Sequence, residues 1–239
     1  MRRFFGIITV VLTVVVLSCQ PQERPSKVWL HRANDIAKAQ YFQDKYDGLE
    51  VDVHFVDSLN MFVVQHDFGA NSKLQLEDWF ASLDNPSNLG FWIDYKNLDK
   101  RNMSASAAEM ARLRKKYKLN NRVIVESSNA ECLQAFTDKD FRTSYYIPYS
   151  KPDSDSHEKM QKVTDEIRKN IKKYNLKTIS GYFFQYQFMK DSFPEMRKLI
   201  WYHRYDTTER NNYIRLANED DKTDVILVAV KDTIDYASK

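Results

Sequence analysis

The chain has 239 residues, with 36 lysines and arginines against 33 aspartates and glutamates, so its formal charge is only +3. This near balance excludes a protein that binds nucleic acid through one broad basic face. Apolar residues make up 43% of the sequence and aromatic residues 13%, which is enough for a hydrophobic core and excludes a wholly disordered chain.

The first 18 residues have the order of a secretory signal. Arg2 and Arg3 precede the apolar residues 4–17, so a charged segment is followed by a hydrophobic one. This apolar stretch is shorter than the about 20 residues that a membrane-spanning helix needs. We therefore expect residues 1–18 to be a signal peptide that does not belong to the folded domain.

The signal ends in Val16-Leu17-Ser18-Cys19, which resembles a bacterial lipobox. In such precursors the peptide is cut before the cysteine, and lipid is attached to that cysteine. The resemblance implies a lipoprotein of the bacterial cell envelope, anchored to a membrane through Cys19. The alternative is an ordinary signal or anchor helix that carries an incidental cysteine.

Cleavage before Cys19 would leave 221 residues with 34 basic and 33 acidic groups, because only Arg2 and Arg3 are lost. Residues 19–27, which include two prolines, then form a short tether, and residues 28–239 form the domain. Cys132 becomes the only free thiol. Its apolar neighbours predict a buried cysteine that packs like a small hydrophobe and is not a nucleophile.

From residue 28 onward, short β-rich runs alternate with stretches of helical period. The predicted strands are Val28–His31, Leu49–Phe55, Met61–Gln65, Leu89–Tyr95, Arg122–Glu126, Thr143–Ile147, Thr178–Phe184, Leu199–Tyr202 and Val225–Val230. The predicted helices lie near residues 35–45, 75–83, 104–118, 129–137, 157–174, 187–197 and 207–218. A capping box, Ser106-Ala107-Ala108-Glu109, predicts the start of the third helix.

This order of elements favours an α/β fold with a parallel sheet. The second and third strands are joined by too few residues for a helix, so we expect a hairpin there. Without the returning arm of that hairpin, eight strands remain, which is the number of a compact (β/α)₈ TIM barrel. A doubly wound sheet is the alternative, since periodicity alone cannot close a sheet.

Acidic and imidazole side chains concentrate near the predicted strand ends. Glu50, Asp52 and His54 alternate along one strand and therefore share a face, and Asp94 and Lys96 share a face at the end of a later strand. Carboxylates on the inside of a barrel are costly unless a cation compensates them, and carboxylate oxygens suit Mg²⁺ or Ca²⁺. The spacing is equally compatible with the solvated face of an edge strand.

Four motifs, taken together in this order, resemble the glycerophosphodiester phosphodiesterase superfamily of phospholipase C-like phosphodiesterases. They are Trp29-Leu30-His31-Arg32, Gly48-Leu49-Glu50-Val51-Asp52-Val53-His54, Val63-Val64-Gln65-His66-Asp67 and Ile93-Asp94-Tyr95-Lys96. The run Leu199-Ile200-Trp201-Tyr202 is also similar to the aromatic last-but-one strand of the superfamily. The resemblance extends over nearly all of the chain after the signal, and it implies a TIM barrel.

Three features of the sequence depart from the superfamily pattern. Ala33 stands where a glycine is usual, and Asn34-Asp35-Ile36 replaces a Glu-Asn-Thr run. Asp94 stands where the later metal ligand is usually glutamate, as in the sphingomyelinase D-like branch. The opening Trp-Leu-His-Arg-Ala-Asn also resembles the menorin-type branch. These departures leave the substrate open.

The resemblance assigns a role to each site residue. One divalent ion, Mg²⁺ or Ca²⁺, would be held by Glu50, Asp52 and Asp94. His31 and His66 would flank the phosphorus as base and acid. The sequence leaves open which is which; the preferred assignment has His31 as base or nucleophile and His66 as the acid that protonates the leaving oxygen. Arg32 and Lys96 would bind the phosphate with their positive charges. Trp201 would cover the headgroup with its aromatic ring.

Two nearby residues remain outside this assignment. His54 is expected to be a structural histidine, and Glu126 is expected to anchor a loop, although either could join the site.

The resulting hypothesis is a monomeric, membrane-anchored, metal-dependent phosphodiesterase that hydrolyses or cyclises glycerophosphodiester or lysophospholipid-like substrates. A non-catalytic lipoprotein that binds a phosphorylated ligand on the same barrel is the alternative, because the substrate side of the site departs from the superfamily. A glycosidase that uses Glu50 and Asp52 is disfavoured, since two residues on one strand face cannot flank a sugar from opposite sides.

Overall fold

The computed structural model describes residues 26–69, 72–202 and 207–230. These residues form nine strands: β1 (Val28–Leu30), β2 (Gly48–Val56), β3 (Met61–Val64), β4 (Gly90–Tyr95), β5 (Val123–Ser127), β6 (Arg142–Tyr146), β7 (Thr178–Tyr182), β8 (Arg197–Tyr202) and β9 (Thr223–Val228). They also form seven α-helices: α1 (Ile36–Phe42), α2 (Leu76–Ala81), α3 (Met103–Lys116), α4 (Gln134–Thr137), α5 (His157–Tyr174), α6 (Tyr186–Ser192) and α7 (Thr207–Asn218).

Eight of the strands form a closed parallel barrel, so the predicted (β/α)₈ fold is confirmed and the doubly wound sheet is wrong. The strand order is β1-β9-β8-β7-β6-β5-β4-β2, and a parallel pairing of β1 with β2 closes the ring. β3 pairs antiparallel with β2, which confirms the predicted hairpin. A parallel barrel of this kind carries its functional groups on the rim at the carboxyl ends of the strands.

The pleat of β2 decides which side chains enter the barrel. Val51 and Val53 are completely buried in the hydrophobic layer between the strands and the helices. Glu50 and Asp52 point the other way and are each only 1% exposed. The alternative of a solvated edge strand is therefore wrong, because this acidic face is enclosed by the barrel.

A second, smaller core fills the barrel interior. It contains Trp29, Trp92, Ile124, Leu199, Val225 and Leu227. The Trp29 indole lies over two glycines that pair with each other across β2 and β4, Gly48 and Gly90. A Cβ atom at Gly48 would lie 2.2 Å from the indole, and one at Gly90 would lie 2.3 Å from it. Both glycines are therefore required by the close approach of a tryptophan to the strands.

We expect Gly90→Ala to lower the free energy of unfolding by about 1–3 kcal/mol, because the buried Trp29 ring has no free space into which it can move. Chemical denaturation measures this change. Gly181→Ala is the matched control, since a Cβ atom there would meet its nearest neighbours at 3.1 and 3.4 Å. Combining Gly90→Ala with Trp29→Phe should recover part of the loss, and equal stability of the wild type and Gly90→Ala would contradict this packing.

Most predicted boundaries agree with the structure to within two residues, with clear exceptions in the short helices. The fourth helix is predicted from residue 129 but forms only over Gln134–Thr137, because residues 130–133 are turns. The seventh predicted strand stops at Tyr182, where a 3₁₀ turn over Phe183–Gln185 leads into α6. α6 itself ends at Ser192, because Arg197 already belongs to β8.

The predicted capping box is wrong. α3 begins at Met103, so Ser106 lies inside the first turn of the helix rather than at its cap. The buried Ser106 hydroxyl donates back to the Met103 carbonyl at 3.3 Å. The Glu109 carboxylate accepts from the Arg112 guanidinium at 2.7 and 2.8 Å instead of bonding the helix start.

Cys132 is a free, buried cysteine, as its apolar neighbours predict. No helix among residues 26–69, 72–202 and 207–230 is both long and apolar enough to cross a bilayer. The predicted signal peptide, Cys19 and most of the predicted tether lie outside the described residues.

Candidate active site

A cavity of about 250 Å³ opens at the carboxyl ends of the barrel strands. All the side chains that the sequence assigns to catalysis, metal binding and substrate binding line it: His31, Arg32, Glu50, Asp52, His66, Asp94, Lys96 and Trp201. Their positions come from β2, β4 and β8 and from the segments that follow β1, β3 and β4. The barrel therefore brings together residues that are up to 170 positions apart in the sequence.

Three carboxylates meet at the centre of this cavity. Asp52 and Asp94 are register partners on adjacent parallel strands. Glu50 precedes Asp52 by two residues on β2 and therefore faces the same side of the sheet. Each of the three offers an oxygen, and these oxygens lie within 4.8 Å of one another. Such a set of hard oxygen ligands suits Mg²⁺ or Ca²⁺.

The environment of Glu50 supports a cation site. Its Oε2 accepts a hydrogen bond of 2.6 Å from the backbone N–H of Arg32, but its buried Oε1 has no partner among the described residues. Burial, followed by the charges of Asp52 and Asp94, raises the pKa of Glu50 well above its usual range. A buried carboxylate oxygen without a partner is costly, and a cation would relieve that cost. The residues present therefore fit a divalent ion.

Lys96 lies between the other two acids. Its Nζ is 2.7 Å from Asp52 Oδ1 and 2.5 Å from Asp94 Oδ2. For Asp52, burial alone would raise the pKa, but the contacts with Lys96 and Asn34 together outweigh burial and the pKa is lowered. For Asp94, burial outweighs Lys96 and raises the pKa to about 6. Lys96 thus neutralises part of the negative charge of the cavity.

Asn34 clamps Asp52 from the segment that leaves β1. Its Nδ2 donates to Asp52 Oδ2 at 2.6 Å, and its Oδ1 accepts from the Asp52 backbone N–H at 2.9 Å. The sequence analysis noted Asn34 only as a departure from the superfamily pattern. Its role could not be read from spacing, because it depends on the path of the chain between β1 and α1.

The two histidines of the site differ in their surroundings. His31 is buried, and burial, followed by the charge of Arg32, lowers its pKa to about 3. Its Nε2 is 3.7 Å from Glu50 Oε2. An imidazole in this position is neutral near pH 7 and retains a lone pair.

His66 lies at the edge of the cavity, with its side chain 38% exposed. Its Nδ1 is 2.6 Å from Asp67 Oδ1, and its Nε2 is 2.8 Å from Arg32 Nη2. Because a guanidinium can only donate, Nε2 accepts this bond and the ring proton lies on Nδ1, towards Asp67. Asp67 therefore orients the ring so that Nε2 faces Arg32 and the cavity.

Arg32 adopts a left-handed backbone conformation with φ of 55°. This conformation is uncommon for a residue with a side chain and costs about 1–3 kcal/mol. It allows the backbone N–H to reach Glu50 while the guanidinium reaches His66. Strain of this kind concentrates where function requires a fixed geometry.

The structure separates the two residues that the sequence left outside the site. His54 does not line the cavity; its ring packs edge-on against Phe68 at 4.8 Å. Glu126 does line the cavity and is only 1% exposed, so the interpretation of Glu126 as a loop anchor is wrong. Burial and the neighbouring Asp94 raise the pKa of Glu126 well above its usual range.

Aromatic side chains form one wall of the cavity. The centroid of the Trp201 ring lies 4.9 Å from that of Tyr146 and 4.9 Å from that of Tyr182. Trp201 also contacts Trp92 edge-on, with centroids 6.1 Å apart. The sequence analysis missed both tyrosines, because alternation marks Tyr146 and Tyr182 as inward-facing but does not distinguish a cavity wall from a packed interior.

Comparison with known proteins identifies the fold. No protein-family model and no curated protein sequence matches the chain. A solved glycerophosphodiester phosphodiesterase from Parabacteroides distasonis is similar in structure, with a TM-score of 0.60 at 16% identity over 85% of this chain and 92% of that one.

Two further solved structures are similar in the same way. An Oleispira antarctica phosphodiesterase in complex with the product sn-glycerol-3-phosphate gives a TM-score of 0.58 at 11% identity, over 84% of this chain and 93% of that one. A glycerophosphodiester phosphodiesterase from Thermotoga maritima gives 0.56 at 14% identity, over 85% and 93%. The chain therefore has the TIM-barrel fold of these phosphodiesterases.

Proposed function

We propose that this chain is a metal-dependent phosphodiesterase that acts on glycerophosphodiester or lysophospholipid-like substrates. The observation that carries the proposal is the convergence of two imidazoles, three carboxylates and two cationic side chains in one cavity at the carboxyl rim of the barrel. The fold shared with solved phosphodiesterases supports it. Fold alone does not imply activity, whereas this set of side chains in one cavity can carry out phosphodiester chemistry.

Glu50, Asp52 and Asp94 would hold one divalent ion. Such an ion, when bound, neutralises phosphate charge and stabilises the charge that develops in the displacement. Asn34 keeps Asp52 in place through two hydrogen bonds, and the Arg32 backbone N–H does the same for Glu50. These contacts fix the carboxylates before a ligand arrives, which lowers the cost of assembling the site.

Arg32 and Lys96 would bind the non-bridging phosphate oxygens. Arg32 is exposed at the edge of the cavity beside His66, and its guanidinium can bind two oxygens at once. Lys96 approaches from the acidic side, where it is already held by Asp52 and Asp94. The phosphate would therefore lie between these two cations and the histidines.

The histidines would carry out the proton transfers. His31 is buried and neutral, so it suits the removal of a proton or attack on phosphorus. His66 would protonate the leaving oxygen. When a phosphate draws the guanidinium of Arg32 away, Nε2 of His66 would first take up a proton from water and would then transfer it to the leaving oxygen, with Asp67 holding the ring.

Trp201 would contact the headgroup. Its ring lines the cavity beside Tyr146 and Tyr182, where it can cover a choline or ethanolamine group by cation–π contact. We further propose that the mature protein is a monomer that is anchored to a membrane of the bacterial cell envelope through lipid on Cys19.

One observation favours a second candidate, a non-catalytic lipoprotein that binds a phosphorylated ligand. Lys96 and Asn34 already occupy the Asp52 carboxylate and one oxygen of Asp94, which leaves fewer free oxygens for a metal. The two candidates differ in turnover. A binder would retain the diester intact at every metal concentration.

A phosphorus NMR screen tests the proposed function. Glycerophosphocholine, glycerophosphoethanolamine and lysophosphatidylcholine are each incubated with the protein and with Mg²⁺, Ca²⁺ or EDTA. We expect a phosphomonoester or a cyclic phosphate to form with at least one substrate and metal, and no product with EDTA. Binding of a diester without any product would favour the second candidate.

A further inference from the structure

The β2–β3 hairpin carries apolar side chains that the hydrophobic cores leave uncovered. Four of them belong to neither of the two cores that the described residues form: Val56, Leu59, Met61 and Val63. These four side chains line a groove of about 540 Å³, which we call the hairpin groove. Leu59 is 62% exposed. Apolar side chains that lie together at a protein surface mark a binding site more often than single ones do.

The register of the hairpin places this apolar face in line with the acids of the cavity. His54 and Val56 follow Asp52 at intervals of two along β2, so all three side chains lie on one face. Across the hairpin, His54 pairs with Val63 and Val56 pairs with Met61, and paired residues share a face. From Asp52 to Val56 the strand rises about 13 Å, at about 3.3 Å per residue. The face therefore changes from acidic to apolar along the strand.

The apolar part of this face lies outside the barrel wall. β2 ends three residues beyond its last pair with β4, so its end and β3 extend past the neighbouring strand. A molecule that is bound at the acids and leaves the barrel on this side therefore meets the hairpin groove.

The hairpin groove begins where the cavity ends. Gln65 lines the groove, and the next residue, His66, lines the cavity. His54 also lines the groove, and its ring packs edge-on against Phe68 at 4.8 Å. Phe68 is 74% exposed, so its ring extends the apolar surface at this boundary. A ligand in the cavity can therefore continue past Phe68 into the groove.

Two polar side chains of the groove are already paired within the chain. Asn97 accepts from the Phe55 N–H at 2.8 Å and donates to the Phe55 carbonyl at 2.9 Å. Gln65 accepts from the Ser72 N–H at 3.3 Å and donates to the Asp67 carbonyl at 2.7 Å. A sugar would bring hydroxyl groups that these side chains cannot pair, whereas an aliphatic chain needs no hydrogen bonds.

The outer edge of β3 is partly paired as well. The Val64 N–H donates to the Leu74 carbonyl at 2.8 Å, and Val63 forms a β-bridge with Gln75. An extended peptide binds a sheet edge through unpaired backbone groups, and these groups are used here within the chain. The groove therefore fits an aliphatic chain better than a peptide strand.

We infer that the hairpin groove binds the aliphatic chain of a lysophospholipid-like substrate whose phosphate lies in the cavity. This inference rests on the proposed function, because it selects the acylated class among the substrates that the proposal names. A bound chain removes Val56, Leu59 and Met61 from water and leaves water itself, and both changes favour binding.

Two lysophosphatidylcholines that differ only in chain length test the inference. The hexanoyl and decanoyl compounds are compared below their micellar concentrations, with the metal-loaded protein. Each methylene that leaves water strengthens binding by up to about fourfold, and the two chains differ by four methylenes. In an open groove we expect the wild type to have a kcat/KM about 10–100-fold higher for the decanoyl compound.

Variants of the groove should lower this chain-length ratio. The double variant Val56→Ser/Met61→Ser changes two half-buried positions and should lower the ratio at least about fivefold. Leu59→Ser, at a position that is 62% exposed, should lower it about two- to fourfold and provides the test if the double variant does not fold. Leu216→Ser is the matched control, because Leu216 is 50% exposed on α7 and does not line the groove.

Three results would overturn the inference. They are a wild-type ratio near one, an unchanged ratio in the groove variants that fold, and an equal fall of the ratio in Leu216→Ser. Sedimentation identifies the other occupant: a wild-type dimer that Leu59→Ser dissociates, with a ratio near one, would assign the groove to a second copy of the chain.

Calorimetry distinguishes failure of this inference from failure of the proposed function. If the wild type cleaves neither lysophosphatidylcholine nor glycerophosphocholine, the proposed function fails, and the Kd values of the two lysophosphatidylcholines are compared instead. The decanoyl compound should then bind at least about tenfold more tightly, and the double variant should lose that preference. Cleavage of both compounds with equal kcat/KM would leave the proposed function standing and overturn the inference.

Discussion

His31→Ala and His66→Ala are each expected to lower kcat on a phosphodiester at least about a hundredfold. Each variant removes one of the two imidazoles that face the cavity, and general acid–base catalysis contributes about 10²–10⁴-fold. The metal would be held by three carboxylates and by neither histidine, so both variants should still bind it. Steady-state kinetics at saturating metal measures the loss, and calorimetry should give Mg²⁺ binding within about threefold of the wild type.

His157→Ala is the matched control for both variants. His157 is exposed at the start of α5 and does not line the cavity, so its removal should leave kcat unchanged. If His31→Ala and His66→Ala both retain the activity of the wild type, the two-histidine account is wrong. Loss of activity in only one of them would show that the other histidine does not transfer a proton in the reaction.

Asp52→Asn is expected to abolish metal binding and to lower kcat/KM at least about a thousandfold, which corresponds to about 4 kcal/mol. Asp52 is the most constrained of the three acids, because Asn34 and Lys96 both bind it. Asparagine has nearly the same shape but carries no charge, so the fold should persist. Calorimetry with Mg²⁺ and Ca²⁺ measures the binding, and kinetics measures the activity.

Asp165→Asn, on the exposed face of α5, is the control for loss of a carboxylate. It should bind metal and turn over substrate as the wild type does. Undiminished metal binding by Asp52→Asn would show that the ion is held elsewhere. Loss of metal binding with full activity would instead show that the reaction does not depend on a metal ion.

The fold follows from the sequence because its signals are local and repeated. Alternating strands and helices recur along the chain, and the short connection between β2 and β3 leaves room only for a hairpin. Errors occur where a signal is weak or misplaced. Ser106 and Glu109 have the spacing of a capping box, yet packing places them inside α3, where Ser106 is completely buried.

The site is predictable only in part. The residues that fill ordered motifs, such as His31, Asp52 and His66, converge in the cavity as the superfamily resemblance implies. Contacts between separate motifs are not encoded in spacing. The bridge from Lys96 to two acids and the contact between Arg32 and His66 depend on side-chain paths across neighbouring strands.

Glu126 shows the limit of sequence reasoning most clearly. A single acid at a strand end does not reveal whether it faces solvent or the barrel interior. The register of β5 with β4 decides this, because it places Glu126 beside Asp94. Only the closed barrel then shows that Glu126 is buried in the wall of the cavity.

Turnover of a glycerophosphodiester by the metal-stripped wild-type protein, before and after addition of Mg²⁺ or Ca²⁺, tests the central claim most directly. The account predicts no product from the stripped protein, and release of a phosphomonoester or cyclic phosphate once the ion is restored. The contradicting result is that every diester of the substrate screen stays intact although the protein has been shown to bind the ion.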